Sequence, residues 1–152
     1  MEFVTGVKKK ETLELSELLE EGRIGTEVKV DGAIHTIRDM GNVAFVILRK
    51  RDGLVQCVFE EGVTAFDLKE LKEASAVEVL GTIRKEERAA HGIEIRLKEI
   101  KVLSEPDEPL PLPISKWKLN TSLEAKLNMR PISLRNVRER AKFKIQEGLV
   151  RG

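Results

Sequence analysis

The sequence has few of the residues that form covalent or metal cross-links. Its 152 residues include one cysteine, two histidines and no tyrosine. A single thiol excludes an internal disulfide, and two distant histidines without a Cys-x-x-Cys pair argue against a zinc site. Cys57 lies in an apolar stretch, so we expect a buried thiol rather than a nucleophile or a metal ligand. We expect both His35 and His91 at the surface.

Long hydrophobic runs are also missing from the sequence. No stretch approaches the roughly 18 apolar residues that a membrane span needs. Residues 1–15 lack the apolar centre of a signal peptide. We therefore expect a cytoplasmic protein that does not enter a membrane.

An excess of one charge is absent as well, because 27 Lys and Arg residues stand against 26 Asp and Glu residues. Net charge alone therefore does not indicate a nucleic-acid partner. The charges are unevenly distributed, however. From Arg130 to Arg151 there are seven basic residues and two acidic ones, whereas the stretch from Glu105 to Glu108 is acidic.

Two apolar runs joined by a charged turn form the most informative part of the sequence. Residues 43–48 are all apolar, residues 54–59 are apolar except for Gln56, and Asp52-Gly53 lies between the two runs. Asp-Gly between such runs predicts a β-hairpin. Arg49, Lys50 and Arg51 lie at its turn, where we expect solvated charges.

The alternation of side chains along these two strands predicts a binding surface. Phe45 shares a face with Ile47, while Gln56 lies opposite the apolar face of Val55, Cys57 and Phe59. One surface of the hairpin thus carries an aromatic ring and an amide that the core does not require. With Arg38 nearby, such a surface suits an unpaired base: a ring to stack on, an amide to read an edge and cations for phosphates.

The remaining elements predict a mainly β fold. Strands are expected at 26–38, 76–84 and 93–103, and a helix at 63–74 between the third and fourth strands. This order is that of the five-stranded Greek-key barrel called the OB-fold. The rival interpretation is a generic α+β sheet. Gly32 and Gly81, inside two of the strands, favour the bent strands of a barrel.

The two ends of the chain are predicted to be helical or extended. A helix of one or two turns, capped by Ser16 and closed by Gly22, precedes the barrel. Four of the five prolines lie at 106–113 and predict a stiff, extended hinge. The apolar residues of 134–152 recur every fourth position and predict a basic amphipathic helix. We therefore divide the chain into an OB-fold domain at 1–104, a hinge at 105–133 and a helix at 134–152.

Several segments together resemble a known family. The N-terminal half of class II aspartyl-tRNA synthetases is similar in the segments Asp31–Gly41, Arg51–Gln56, Leu110–Leu112 and Leu123–Asn136, in the same order and spacing. The resemblance implies an OB-fold domain that binds the tRNA anticodon loop, a hinge, and at 134–152 the start of a catalytic-domain helix. It also implies that the full-length protein is a homodimer.

The three class II catalytic motifs of that family do not occur in this sequence. The resemblance therefore implies no catalytic residue, no metal site and no cofactor in this chain, with ATP and magnesium expected only in a catalytic domain. We expect the chain by itself not to activate an amino acid.

The resemblance also assigns roles to five side chains. Phe45 matches an aromatic residue that stacks on an anticodon base, and Gln56 matches a glutamine that reads the central uridine. Arg38 matches an arginine near the anticodon backbone and bases. Glu94 matches an acid that faces the third anticodon base, and Arg84 matches a basic residue of the fourth strand.

Three alternatives remain open at this stage. One keeps the family but changes the amino acid to asparagine or lysine. The second is a stand-alone OB-fold protein that binds single strands without reading them. The third is an interaction module that dimerises through its terminal helix.

Overall fold

The computed structural model describes residues 11–152, which form two compact units that divide after Glu105. In the first unit, five strands close into a barrel with the order β1-β2-β3-β5-β4. This confirms the predicted mainly β, five-stranded OB-fold barrel. The strands are β1 (Glu27–Asp39), β2 (Val43–Arg49), β3 (Leu54–Glu60), β4 (Ala76–Lys85) and β5 (Ile93–Ser104).

The length of β1 and the pairing of β3 with β5 close the barrel. The first half of β1 pairs with β4 and its second half with β2, all antiparallel. The barrel closes where β3 runs parallel to β5, with Cys57 opposite Ile95 and Val58 opposite Arg96. A Cβ atom at Gly81 would lie 2.4 Å from the backbone oxygen of Arg96. Only glycine permits this close approach of the strands.

The barrel core consists of the apolar side chains that alternate with polar ones along each strand. In β2, Ala44, Val46 and Leu48 are fully buried. In β3, the same alternation buries Cys57, where removal from water raises the pKa of the thiol well above its usual range. The expected buried thiol is therefore confirmed.

The α-helix predicted over 63–74 is not formed. Between β3 and β4 the chain makes one 3-10 helix, Leu68–Glu70. The Thr64 hydroxyl donates to the Leu97 backbone oxygen at 3.1 Å, and Ala65 forms a parallel bridge with Glu99, so the segment is held against β5 in non-helical geometry. The segment also ends at Ala74 with a φ of 69°. Its apolar side chains pack on the core without helical spacing, since tertiary contacts override local helix propensity.

The short leading helix begins earlier than predicted. Helix α1 is Leu15–Leu18, with Glu14 rather than Ser16 at its N-cap. The Glu17 carboxylate accepts from the Glu14 backbone N–H at 2.6 Å, which satisfies a donor that the helix leaves unpaired. The Ser16 backbone N–H donates instead to the Asp52 carboxylate at 3.1 Å.

Two polar residues predicted at the surface are buried. The Lys50 side chain is 2% exposed, and its ammonium group donates to the Asp31 backbone oxygen at 2.7 Å and to the Asp31 carboxylate at 2.9 Å. Pairing makes this buried charge tolerable. His35 is also buried, at a bulge of β1 between Ile34 and Thr36. Burial lowers the pKa of its imidazole, and the Arg49 charge lowers it further.

The second unit, Pro106–Gly152, contains three helices. They are α2 (Leu123–Asn128), α3 (Arg130–Ser133) and α4 (Val137–Arg151). The first two lie in the segment assigned to the hinge, after its proline-rich part. Helix α4 starts three residues later than predicted, because the Asn136 side chain caps it by accepting from the backbone N–H groups of Arg138 and Glu139. The three-part domain assignment stays a prediction.

Within residues 11–152, no helix has the length and apolar character that crossing a membrane requires.

Candidate nucleic-acid interface

The outward surface of β2 and β3 carries the predicted stacking and reading groups. Phe45 is half-buried between the fully buried Ala44 and Val46, and its side chain therefore points away from the core. In the register it lies opposite Arg38 of β1 and Val58 of β3. The ring is thus flanked by a cation on one side and by an apolar side chain on the other.

Gln56 lies on the same outward surface, one cross-strand pair further along. It is opposite Ile47 of β2 and half-buried. Its amide nitrogen donates to the Glu94 carboxylate of β5 at 3.1 Å. An ionised carboxylate only accepts hydrogen bonds, so the NH2 group of Gln56 must face Glu94. The amide oxygen and the second N–H of Gln56 remain as an acceptor and a donor for an edge of a base.

The fourth and fifth predicted residues also lie on this outward surface. Glu94 and Arg84 are directly opposite each other on β5 and β4, and each is next to a buried isoleucine of its own strand, Ile95 and Ile83 respectively. The fold therefore brings one predicted residue from each strand to one surface of the barrel, which we call the reading face. Its predicted members are Arg38, Phe45, Gln56, Arg84 and Glu94.

Two further charged residues of the reading face were missed by the sequence analysis. The carboxylate of Glu60, at the end of β3, forms an ion pair with Arg96 of β5. Its other oxygen lies 3.9 Å from a guanidinium nitrogen of Arg84. The Nε atom of Arg96 is buried and has no hydrogen-bond partner within residues 11–152. The outward alternation of polar residues in β5 places Arg96 on this face, but nothing local in the sequence pairs it with Glu60.

The predicted residues are not all in contact. Gln56, Glu94 and Arg84 cluster where β3, β5 and β4 meet, whereas Arg38 is exposed at the far end of β1, beside Phe45. The reading face is therefore extended across the strands rather than enclosed in a pocket. This shape suits a splayed single strand more than a small ligand, which needs a concave site.

In the described part of the chain, no group of three His, Cys, Asp or Glu side chains is placed to hold a metal ion. The carboxylates of the reading face are instead engaged with arginine and glutamine side chains.

Comparison with known families agrees with this geometry. Residues 28–103 match the family model described as the OB-fold nucleic acid binding domain of the tRNA anticodon type. The matched segment starts one residue into β1 and ends one residue before the end of β5, so it spans the barrel and the whole reading face.

Curated relatives and solved structures point to one group of enzymes. The aspartate–tRNA(Asp/Asn) ligase of Saccharolobus solfataricus is 34% identical over 128 residues, which are 84% of this chain and 30% of that protein. The Thermus thermophilus protein of the same name is 37% identical over 129 residues, 85% of this chain and 29% of that protein. The structure of asparaginyl-tRNA synthetase from Pyrococcus horikoshii superposes with a TM-score of 0.75 at 26% identity, covering 92% of this chain and 32% of that one.

The chain thus spans about 30% of the length of the curated relatives that it matches. The part that it shares with them holds the barrel and its reading face. The chain therefore belongs to the OB-fold nucleic acid binding domain family, and it corresponds to the N-terminal anticodon-binding part of class II aspartyl-type tRNA synthetases.

Proposed function

We propose that the reading face binds the anticodon loop of a tRNA for aspartate and selects it by its central uridine. The observation that carries this proposal is the convergence of five side chains, one from each strand, on one outward surface. Among them, the hydrogen bond from Gln56 to Glu94 gives the Gln56 amide a defined direction.

In this proposal, stacking and hydrogen bonding have separate tasks. One unstacked base rests on Phe45, a contact of about 1 to 3 kcal/mol that any base can make. The Gln56 amide then pairs with an edge of the central base. A wrong base leaves buried polar groups of the amide unpaired, and that penalty gives selectivity.

The cations of the reading face contribute binding without selection. Arg38 is exposed beside Phe45, and Arg84 has a side chain that is 48% exposed. Contacts from these guanidinium groups to phosphates release counterions, so the affinity for any RNA loop falls as salt rises. The salt dependence of RNA affinity therefore reports these phosphate contacts, and the preference for the uridine loop reports the contribution of Gln56.

For the full-length protein we propose the activity that the names of its relatives state, attachment of aspartate to tRNA. ATP and magnesium would then be bound by a catalytic domain. We also propose a homodimer that works in the cytoplasm. These proposals rest on the relatives, of which this chain spans about 30%.

A second candidate keeps the mechanism and changes the tRNA. The Pyrococcus horikoshii asparaginyl-tRNA synthetase superposes over 92% of the chain, and the curated relatives carry both aspartate and asparagine tRNA in their names. The anticodons of the two tRNAs share their first and central bases and differ in the third, because the aspartate and asparagine codons differ only in their first base. Loops that differ only at the third anticodon base separate them.

The proposed function is tested by binding of two anticodon stem-loops, one of aspartate tRNA and one whose central uridine is replaced. We expect the wild-type chain to prefer the uridine loop and Gln56→Ala to lose the preference. Gln146→Ala, which alters an exposed glutamine of α4 in the second unit, is the matched control and should keep it. Equal binding of both loops by wild type and Gln56→Ala, with only a salt dependence, would show a non-specific single-strand binder.

A further inference from the structure

Two carboxylates of the reading face, those of Glu60 and Glu94, lie near the same arginine, Arg84. Arg84 and Glu94 are directly opposite each other on the antiparallel strands β4 and β5. Directly opposed side chains have Cβ atoms about 4.5 to 5.5 Å apart, and opposite charges in such positions normally pair. Arg84 nevertheless points along the surface to Glu60, with 3.9 Å between guanidinium nitrogen and carboxylate oxygen.

Glu60 is positioned to pair with Arg84 in preference to Glu94. Its side chain is 25% exposed, and one of its carboxylate oxygens is already fixed by Arg96. Its backbone is fixed as well, because its N–H donates to the Thr64 hydroxyl at 3.3 Å and its carbonyl oxygen accepts from the Thr64 N–H at 3.0 Å. The Thr64 hydroxyl in turn donates to Leu97 of β5. Because the backbone and one carboxylate oxygen of Glu60 are already fixed, pairing with Arg84 costs little further conformational entropy of Glu60.

The pairing of Arg84 with Glu60 affects the hydrogen bond of Gln56. With Arg84 engaged by Glu60, the Glu94 carboxylate is free to accept from the Gln56 amide at 3.1 Å. If Arg84 turned to Glu94, its guanidinium would attract the carboxylate by charge as well as by hydrogen bonding, which the neutral amide of Gln56 does not do, so Arg84 would displace Gln56. Gln56 would then lose the acceptor that fixes the direction of its amide.

We propose that Glu60 is a positioning residue for base selection: by holding Arg84 it leaves Glu94 to Gln56, and so keeps the Gln56 amide aimed at the base. This inference rests on the proposed function and adds a residue that does not itself touch the RNA. It predicts that one substitution changes affinity and selectivity in opposite directions. Removing an acidic charge should raise the affinity of the barrel for any RNA, yet here it should lower the preference for the correct loop.

The test measures the ratio of dissociation constants for the replaced-base loop and the uridine loop. Four proteins are compared: wild type, Glu60→Gln, Arg84→Ala and the double variant. We expect Glu60→Gln to lower the ratio by about two- to ten-fold, the range for one hydrogen bond's net contribution. In the Arg84→Ala background, Glu60→Gln should have no further effect on the ratio, because the competing cation is gone.

Glu61→Gln is the matched control. It removes the same charge one residue later, in an exposed turn, and makes no contact with Arg84 or Arg96. We expect it to leave the ratio unchanged while changing overall affinity by the same electrostatic amount as Glu60→Gln. Thermal unfolding of each variant shows that the barrel is folded, and the side-chain NH2 signals of Gln56 in an NMR spectrum should move in Glu60→Gln but not in Glu61→Gln.

Two results would overturn the inference and leave the proposed function intact. One is an unchanged ratio in Glu60→Gln, with wild type still preferring the uridine loop. The other is an equal loss of ratio with and without Arg84, which would show that Glu60 does not act through that arginine. If wild type binds both loops equally, the proposed function fails, and this inference fails with it.

Discussion

The two units of the chain are stabilised by different kinds of interaction. Every strand of the barrel contributes buried apolar side chains to one continuous core, with Val30, Val46, Val79 and Ile95 among the fully buried ones. The second unit has a small apolar cluster, formed by Leu112, Ile114 and Leu119. Its longest helix, α4, has no buried residue.

Polar contacts add to the small apolar cluster of the second unit. The buried Asn136 amide donates to the backbone oxygens of Ile114 at 2.8 Å and Lys116 at 2.7 Å, besides capping α4. Glu139 pairs with Lys142 at 2.8 Å and Lys126 at 3.0 Å, which lowers the pKa of its carboxyl. The barrel is therefore held by burial of area, and the second unit by a few hydrogen bonds at defined positions. Substitutions should affect the two units in different ways.

The largest difference is expected from the same truncation in both cores. Leu48→Ala removes a fully buried side chain of the barrel and should cost about 2 to 5 kcal/mol of unfolding free energy. Leu119→Ala should cost less, because its cluster is small and open enough to collapse into the gap. Chemical denaturation measures both, with circular dichroism for the barrel and the fluorescence of Trp117, the single tryptophan, for the second unit. A greater loss in Leu119→Ala would contradict the comparison.

The next effect tests the polar framework of the second unit. Asn136→Ala removes the cap of α4 and leaves two backbone oxygens without their donor, which should cost about 1 to 4 kcal/mol. Asn136→Asp keeps the capping acceptor and loses the donor, so its loss should be intermediate. The fluorescence transition of Trp117 reports the change, and Asn120→Ala, at an exposed asparagine of the same unit, is the control. Equal stability of Asn136→Ala and the control would mean that these hydrogen bonds do not hold the unit.

The smallest effect contrasts two glycines and should have opposite signs. At Gly81 a Cβ atom would lie 2.4 Å from the Arg96 oxygen, so Gly81→Ala should destabilise the barrel by about 1 to 3 kcal/mol. At Gly148, inside α4, no atom apart from the adjacent residues and the backbone of the helix itself lies within 4 Å of the added Cβ, and Gly148→Ala should stabilise that helix by about 0.5 to 1 kcal/mol. Thermal unfolding of both variants decides this. A gain in Gly81→Ala would show that β4 and β5 can move apart.

The barrel was largely predictable from the sequence because strand periodicity is a local signal. Residues 43–48 and 54–59, with Asp52-Gly53 between them, indicate the hairpin, and alternation assigns Phe45 and Gln56 to the outer surface. The helical segments were less predictable. A helix was expected at 63–74 and a hinge at 105–133, whereas the structure has one 3-10 helix in the first segment and contains helices α2 and α3 in the second. These segments are short, and tertiary contacts such as that of Thr64 with Leu97 decide their conformation.

The contacts of the reading face could not be predicted in the same way. Gln56 and Glu94 are 38 residues apart in the chain, and Glu60 and Arg96 are 36 apart. Their meeting depends on the register between β3 and β5, which no local pattern encodes. The buried Lys50 shows the same limit, since a turn lysine is ordinarily solvated and its partner Asp31 lies on another strand.

The closure of the barrel links its motion to the base selection proposed for it. Strands β3 and β5 share two pairs, whereas β4 and β5 are paired from Ala76 to Lys85. A short stretch of strand pairing opens at a lower cost in free energy than a long one. The barrel should therefore open first between β3 and β5. Gln56 and Glu94 are the residues next to that stretch of pairing, one on each strand. Each opening separates them, so under the proposed function the opening equilibrium of the barrel limits the fraction of time during which a base can be read.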